Sequence, residues 1–201
     1  MIRVTEVLTL HEETVARWHV EPISNAYAGA LHLVCEQHAY NFKLWHEEDI
    51  ARSPDVTDAR IAQVKRNIDG FNQQRNDCIE KVDDWISDRL IAEGCEPGKG
   101  APINSETAGS IIDRLSILAL RIFHLHEQLA RTDVARDHHL SVENKLNVCL
   151  EQREDLGTAL KLLLNDIRAG RKRHKTYRQF KMYNDPTLNP YLYAKQAKRA
   201  G

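Results

Sequence analysis

Long apolar runs are missing from this chain. No stretch approaches the roughly 18 to 20 residues that cross a bilayer as a helix, so a helical membrane span is excluded. The opening Met1-Ile2-Arg3-Val4-Thr5-Glu6 lacks the basic-then-apolar layout of a secretory signal, and a cytoplasmic location is expected. An excess of basic residues is missing too: the formal net charge is -1, whereas a general nucleic-acid binder needs surplus cations to neutralise the backbone. No specific nucleic-acid partner is expected. Cys35, Cys78, Cys95 and Cys149 form no C-x-x-C pair and no zinc spacing, which favours reduced thiols acting as small hydrophobes. Period-two alternation, internal repeats and a Gly-rich strand-to-helix turn are absent as well, so no segment calls for a strand.

What is present is helical patterning. With 201 residues, 42% of them hydrophobic and 28% charged, the chain can bury one proper core. A short first helix is read over Thr9 to His19, and Pro22 breaks the chain behind it. The second helix runs from about Ser24 to Arg52, with Ser53-Pro54-Asp55 as its stop. A third covers about Thr57 to Ile91, and Glu93 to Pro102 is the clearest loop. The fourth starts near Thr107 and reaches about Arg131. The fifth runs from about Val134 to Ala169, with Gly170 as its C-cap. The predicted architecture is all-α: an antiparallel bundle of four long helices forming one domain over 1–201. Residues 1–20 form the short N-terminal helix, and 171–201 form a basic, aromatic tail packing on the bundle.

Charged and amide residues interrupt the apolar faces of these helices. In the second helix Tyr27, Leu31, Val34, His38, Asn41, Trp45 and Glu48 share one stripe. In the third, Arg75 sits inside an arc of Val64, Ile68, Phe71, Val82 and Ile86, with Asn72, Asn76, Glu80 and Asp83 along its edge. In the fifth, Arg153 interrupts Leu146, Cys149, Leu156, Leu160 and Leu163. The fourth is apolar nearly all round and reads as the central helix, yet it carries Asp113 in line with Ile117, Leu120 and His124. Unpaired buried charges cost several kcal/mol, so these groups must meet one another or a ligand. The expected arrangement is a polar layer with Glu48 and Asp113 opposite Arg75 and Arg153, surrounded by His38, Asn41, Asn72 and Asn76. Such a layer suits a phosphate or sugar-phosphate ligand; it also suits an ion-pair network that fixes helix register.

Weaker signals lie outside that layer. Glu80-x-x-Asp83 and Glu151-x-x-Glu154 are similar to the paired carboxylates that hold magnesium in all-α nucleotide pyrophosphatases, although the order is wrong and exposed helix charge is the simpler reading. His46 and Asp49 lie one turn apart as a possible metal pair, and metal also remains open through Glu48, Asp49 and Glu80. No Glu-x-x-His motif supports a di-iron centre. Thr107 reads as an N-cap, and Gly109 would let an anion approach the free N–H groups beside Arg114. The run from Arg168 to Lys181 holds seven cations and no acid, interleaved with Tyr177 and Phe180 and followed by Tyr183. It suits phosphate, an anionic membrane surface, RNA, or docking onto acidic helices.

Five blocks stand out: Asn41-Phe42-Lys43-Leu44-Trp45-His46-Glu47-Glu48-Asp49, Lys65-Arg66-Asn67-Ile68-Asp69, Asn72-Gln73-Gln74-Arg75-Asn76-Asp77, Gly109 to Leu118, and Tyr177 to Pro186. In this order they resemble the bacterial domain-of-unknown-function 4254 family. The resemblance covers almost the whole chain, with proline expected where Ala108 stands. A second uncharacterised group is similar in carrying the Asn-x-x-Leu-Trp and Ile-Asp-Arg-Leu types of block in opposite order, which implies that the two blocks meet in space. Members tend to be encoded near glycosyltransferases of cell-envelope polysaccharide assembly. The expected function is thus an enzyme or binding protein for a phosphorylated sugar or nucleotide sugar. Glu48 and Asp113 would act as acid and base, and Arg75, Arg114 and Arg153 would neutralise phosphate. His38, Asn41, Asn72 and Asn76 would orient hydroxyls, and Trp45 would stack on a sugar or base or simply fill the core. The alternatives are a non-catalytic adaptor docking a glycosyltransferase and a metal-dependent nucleotide hydrolase. Cofactor, metal and oligomeric state stay unassigned.

Overall fold

At the starts of some helices in this chain, side chains answer the free backbone N–H groups of the first turn. The computed structural model describes residues 1–182 and 185–197, so Tyr183 and Asn184 lie outside the described residues. Six helices follow in order: α1 Val4–Trp18, α2 Gly29–Arg52, α3 Asp58–Ala92, α4 Ala108–Leu129, α5 Arg136–Arg168 and α6 Pro190–Ala197. Thr57 and Thr107 cap α3 and α4, each accepting a hydrogen bond from the amide three residues on; Thr107 is the cap its sequence context predicts. The described residues contain no strand, and none of their helices is long and apolar enough to cross a membrane.

Three boundaries differ from the sequence reading. Helix α1 begins at Val4, because Val7 and Leu10 continue the buried stripe ahead of Val15 and Trp18. Helix α2 begins only at Gly29. Residues 24–28 instead run as a connection in which the Ser24 carbonyl accepts from Trp18 Nε1 at 3.3 Å and Asn25 Oδ1 accepts from the Tyr27 amide at 3.2 Å. A short sixth helix also forms in the tail. Pro190 at its first position presets the helical φ, and Asn189 Oδ1 accepts from the Tyr191 amide at 2.9 Å.

The packing follows from where the apolar faces lie. Helices α2 and α3 pack along each other as one hairpin, and α4 and α5 as a second. Helix α4 joins the two, touching α1, α2, α3 and α5. Its Ile111, Ile112, Leu115, Leu118, Leu120 and Ile122 are all buried, at roughly 1.5 to 3 kcal/mol each for full burial. Helix α1 lies over α2, α4 and α5. Gly170 ends α5 with φ +70, and its carbonyl accepts from the Gly98 amide at 2.9 Å. A Cβ there would stand 2.6 Å from the Glu96 carbonyl oxygen, so only glycine lets the α5 end seat on the 93–107 loop.

Beneath α1 the core holds two imidazoles, His11 and His38, with ring centroids 4.6 Å apart. Both are fully buried, and neither His11 ring nitrogen has a hydrogen-bond partner among the described residues. Burial pushes the His11 pKa from 6.5 down to about 3. Between those values the unfolded chain binds the proton and the folded one does not, so stability is complete above about 6.5 and declines as pH falls. Chemical denaturation at stepped pH should show this decline, with a slope per buried imidazole approaching 1.4 kcal/mol per pH unit at most. The slope should be shallower in His11→Phe.

Candidate functional site

Asp113 stands on the α4 face turned toward α2 and α3, and it is buried. Gln37 and Asn41, one turn apart on α2, both donate to its Oδ1, Asn41 at 2.9 Å. Arg75 of α3 brings Nε to 3.8 Å from the same oxygen. Loss of water raises the Asp113 pKa, and Arg75 and the two amides oppose that rise. The layer continues inward. Asn41 Nδ2 also donates to Ser116 Oγ at 2.8 Å, and Ser116 Oγ is hydrogen-bonded to His38 Nδ1 at 2.7 Å. The Asn-x-x-Leu-Trp and Ile-Asp-Arg-Leu blocks thus meet directly through Asn41 and Asp113.

Two adjoining clefts open from this layer. The larger, about 420 Å³, is lined by Asn72, Arg75, Asn76, Asp113, Arg114 and Lys181, with Asp69, Glu106 and Ser110 at its edge. The smaller, about 350 Å³, is lined by Asn41, Trp45, Glu48, Arg52, Asn72 and Arg75. Asn72 and Arg75 belong to both, so Arg75 forms the divide. The Asn76 side chain is buried yet makes no hydrogen bond among the described residues. Lys181 forms no ion pair among them either, and burial together with the neighbouring Arg75 pushes its pKa down.

The tail that carries Lys181 is held on α3. The Arg178 guanidinium binds Glu80 at 3.1 Å and Asp84 at 2.8 Å, and the Gln179 amide donates to Glu80 at 2.7 Å. Upstream, the Arg173 amide donates to the Pro102 carbonyl, and His174 Nε2 meets the Asp83 carbonyl at 2.8 Å. Of the uses open to the basic run, contact with acidic helix residues is the one these bonds realise.

Not every expected site residue joins the layer around Asp113. Glu48 does not join Asp113: it sits one turn before the end of α2, its side chain is 45% exposed, and it pairs with Arg52 at 2.7 Å. Arg153 is on the wrong side of the molecule, because α5 packs on α4 and α1 rather than on α2 or α3. It lines a separate apolar pocket with Leu8 and His11, 3.9 Å from Glu12. His38 is an inner support, walled from the clefts by Asn41 and Ser116 and stacked on Trp18. Trp45 packs on the His124 ring, centroids 4.8 Å apart, while still lining the smaller cleft. Arg114 lies at the rim, bound to Glu106 at 3.0 Å.

The helix start at Gly109 is not an open anion site. Asp83 Oδ1 accepts from the Gly109 amide at 2.8 Å, and a Cβ on Gly109 would stand 2.7 Å from the Ile79 carbonyl oxygen. Glycine there serves close α3–α4 packing, and Glu80 and Asp83 are spent on internal bonds rather than paired for a metal. Gln37 and Ser116 are the layer members that sequence reasoning missed. Their signal was available: Gln37 lies four residues before Asn41, and Ser116 three after Asp113.

The family model described as "Protein of unknown function (DUF4254)" matches residues 31–176. That span includes every layer residue on α2, α3 and α4. No curated protein and no solved structure matches the chain.

The structure predicts unequal costs for Asp113 and Glu48. Asp113→Ala leaves Gln37 and Asn41 donors buried without their acceptor and should lower unfolding free energy by about 2 to 4 kcal/mol. Glu48→Ala removes only an exposed helix pair and should cost about 0.5 kcal/mol or less. Urea denaturation of the two variants beside the parent measures both.

Proposed function

Since the chain belongs to the DUF4254 family, whose description carries no activity, we propose from the site itself that the paired clefts bind a small phosphorylated sugar, with Asp113 as the acid–base group. One observation carries this reading. Arg75 and Lys181 face the same cleft, and neither side chain donates a hydrogen bond to any described residue. Two cations held together with unspent donors favour an anion, and phosphate matches the planar donor fork of an arginine.

The remaining lining supports the sugar half. Asn72 and Asn76 offer amides that both donate and accept, as hydroxyls require. The clefts, about 420 and 350 Å³, fall within the usual range for small-molecule sites. Asp113 is the buried carboxyl among the lining residues, and burial raises its pKa above the ordinary carboxylate value, the direction an acid–base group needs. In this reading Arg75 and Lys181 take the phosphate, and Asp113 exchanges a proton with a hydroxyl or leaving oxygen. A nucleotide sugar would extend into the smaller cleft beside Trp45. A role in cell-envelope polysaccharide assembly belongs to the same proposal.

Isothermal titration against a panel of sugar phosphates and nucleotide sugars tests it. At least one should bind, and Arg75→Met should weaken it by roughly 10- to 100-fold, as expected for a lost charged hydrogen bond. Arg178→Ala, which frees the tail that delivers Lys181, should weaken it less. A folded Arg75→Met protein that binds the same ligand unchanged, or a panel that yields no binding, would count against the reading and favour a register-setting network with an adaptor role.

A further inference from the structure

We propose that His19, His46 and His124 form a binding site for a divalent transition-metal ion of the zinc class. The three residues come from the C-terminal end of α1, from α2 and from α4, and no sequence spacing brings them together. One nitrogen from each lies within 4.8 Å of the others. All three side chains are of intermediate burial, neither deep in the core nor fully exposed.

Ring geometry supports the assignment. Tetrahedral zinc holds imidazole nitrogens at about 2.0 to 2.1 Å. A ring centre lies about 1.1 Å beyond its nitrogen, which puts the centres of three ligating rings about 5.2 Å from one another. The observed separations are 5.2 Å for His19–His46, 5.1 Å for His19–His124 and 5.9 Å for His46–His124. The interplanar angles are 70°, 76° and 81°. Bringing the nitrogens to the roughly 3.4 Å spacing of tetrahedral ligands requires contractions of at most about 1.4 Å, within reach of small side-chain rotations.

The outer hydrogen bonds provide an independent observation. Nδ1 of His19 meets the Val15 carbonyl at 2.7 Å, and Nδ1 of His124 meets Glu127 Oε2 at 2.6 Å. An oxygen acceptor at Nδ1 places the proton there and leaves Nε2 with its lone pair, the arrangement that metal-binding histidines adopt. Both Nε2 atoms are buried and have no partner among the described residues, which costs free energy unless something is bound there. Stacking on Phe123, centroids 4.1 Å apart, fixes the His19 ring, and stacking on Trp45 fixes that of His124. Three nitrogen ligands leave the fourth tetrahedral position to water or an added ligand. The Trp45 indole stands between this site and the smaller cleft, and the assignment does not depend on what the cleft binds.

Competition of the metal-free full chain with a chromophoric chelator for Zn²⁺ tests the proposal. The expected result is one Zn²⁺ per chain, with His46→Ala and His124→Ala each weakening binding by about 100-fold or more, since even an outer partner of a metal ligand is worth about 10- to 100-fold. His32→Ala, at an exposed histidine outside the cluster, should bind like the parent. Parent-like affinity in both cluster variants, or no binding by the parent, would overturn the site. Co²⁺ added to the parent keeps the proposal testable if a variant fails to fold. Intense tetrahedral absorption supports it, and the weak bands of hydrated cobalt contradict it.

Discussion

A carboxylate removed from water must be matched by donors, and Asp113 imposes that demand at the centre of this molecule. Losing its hydration costs several kcal/mol, and the structure answers with Gln37, Asn41 and Arg75 from two other helices. Those contacts form only when α2, α3 and α4 stand at one mutual height. A slip of one turn along any of them would move an amide or a guanidinium away by about 5.4 Å. Hydrophobic burial on α4 supplies most of the attraction but discriminates poorly between registers, since one leucine can replace another. The polar layer selects the register, and Ser116 and His38 extend that selection into the core.

Selection of register does not account for everything around Asp113. A purely structural network satisfies itself, whereas this one leaves the Arg75 and Asn76 side chains without hydrogen bonds among the described residues and brings Lys181 beside them from a distant part of the chain. The acids of α3 hold Arg178 and the Gln179 amide, and that grip positions the lysine. Helix α4 consequently has two unlike sides. One faces the charged clefts; the other faces α1 and α5 across an apolar cavity of about 280 Å³ lined by Leu8, Val15, Leu115 and Phe123. The three imidazoles gather where the end of α1 meets α2 and α4, with Trp45 stacked on His124.

Much of this was legible from helical periodicity alone. The 3.6-residue pattern placed five helices, marked α4 as central and set Asn41, Asn72, Arg75, Asn76 and Asp113 on inward faces, where the structure finds them. Failures came where facing depends on neighbours rather than on period. Glu48 continues the α2 stripe but lies too near the helix end to be covered. Arg153 continues the α5 stripe, yet that stripe meets α1 and α4, so an inward residue there faces a different cavity. Gly109 allowed either a ligand or a close helix, and Asp83 occupies the space. The imidazole cluster had no local signature, because its members are 27 and 78 residues apart in the chain and meet only through tertiary packing.

The central claim is that Arg75 has donors directed at a ligand rather than consumed by Asp113, and the guanidinium reports this itself. Arginine-selective ¹⁵N NMR of the full chain, titrated with the best-binding sugar phosphate, follows Arg75 Nε with Arg153 as an internal reference on the opposite side of α4. The account predicts a saturable shift of the Arg75 resonance with Arg153 unmoved. An Arg75 resonance that stays fixed through saturation, or moves only in step with Arg153, would contradict it.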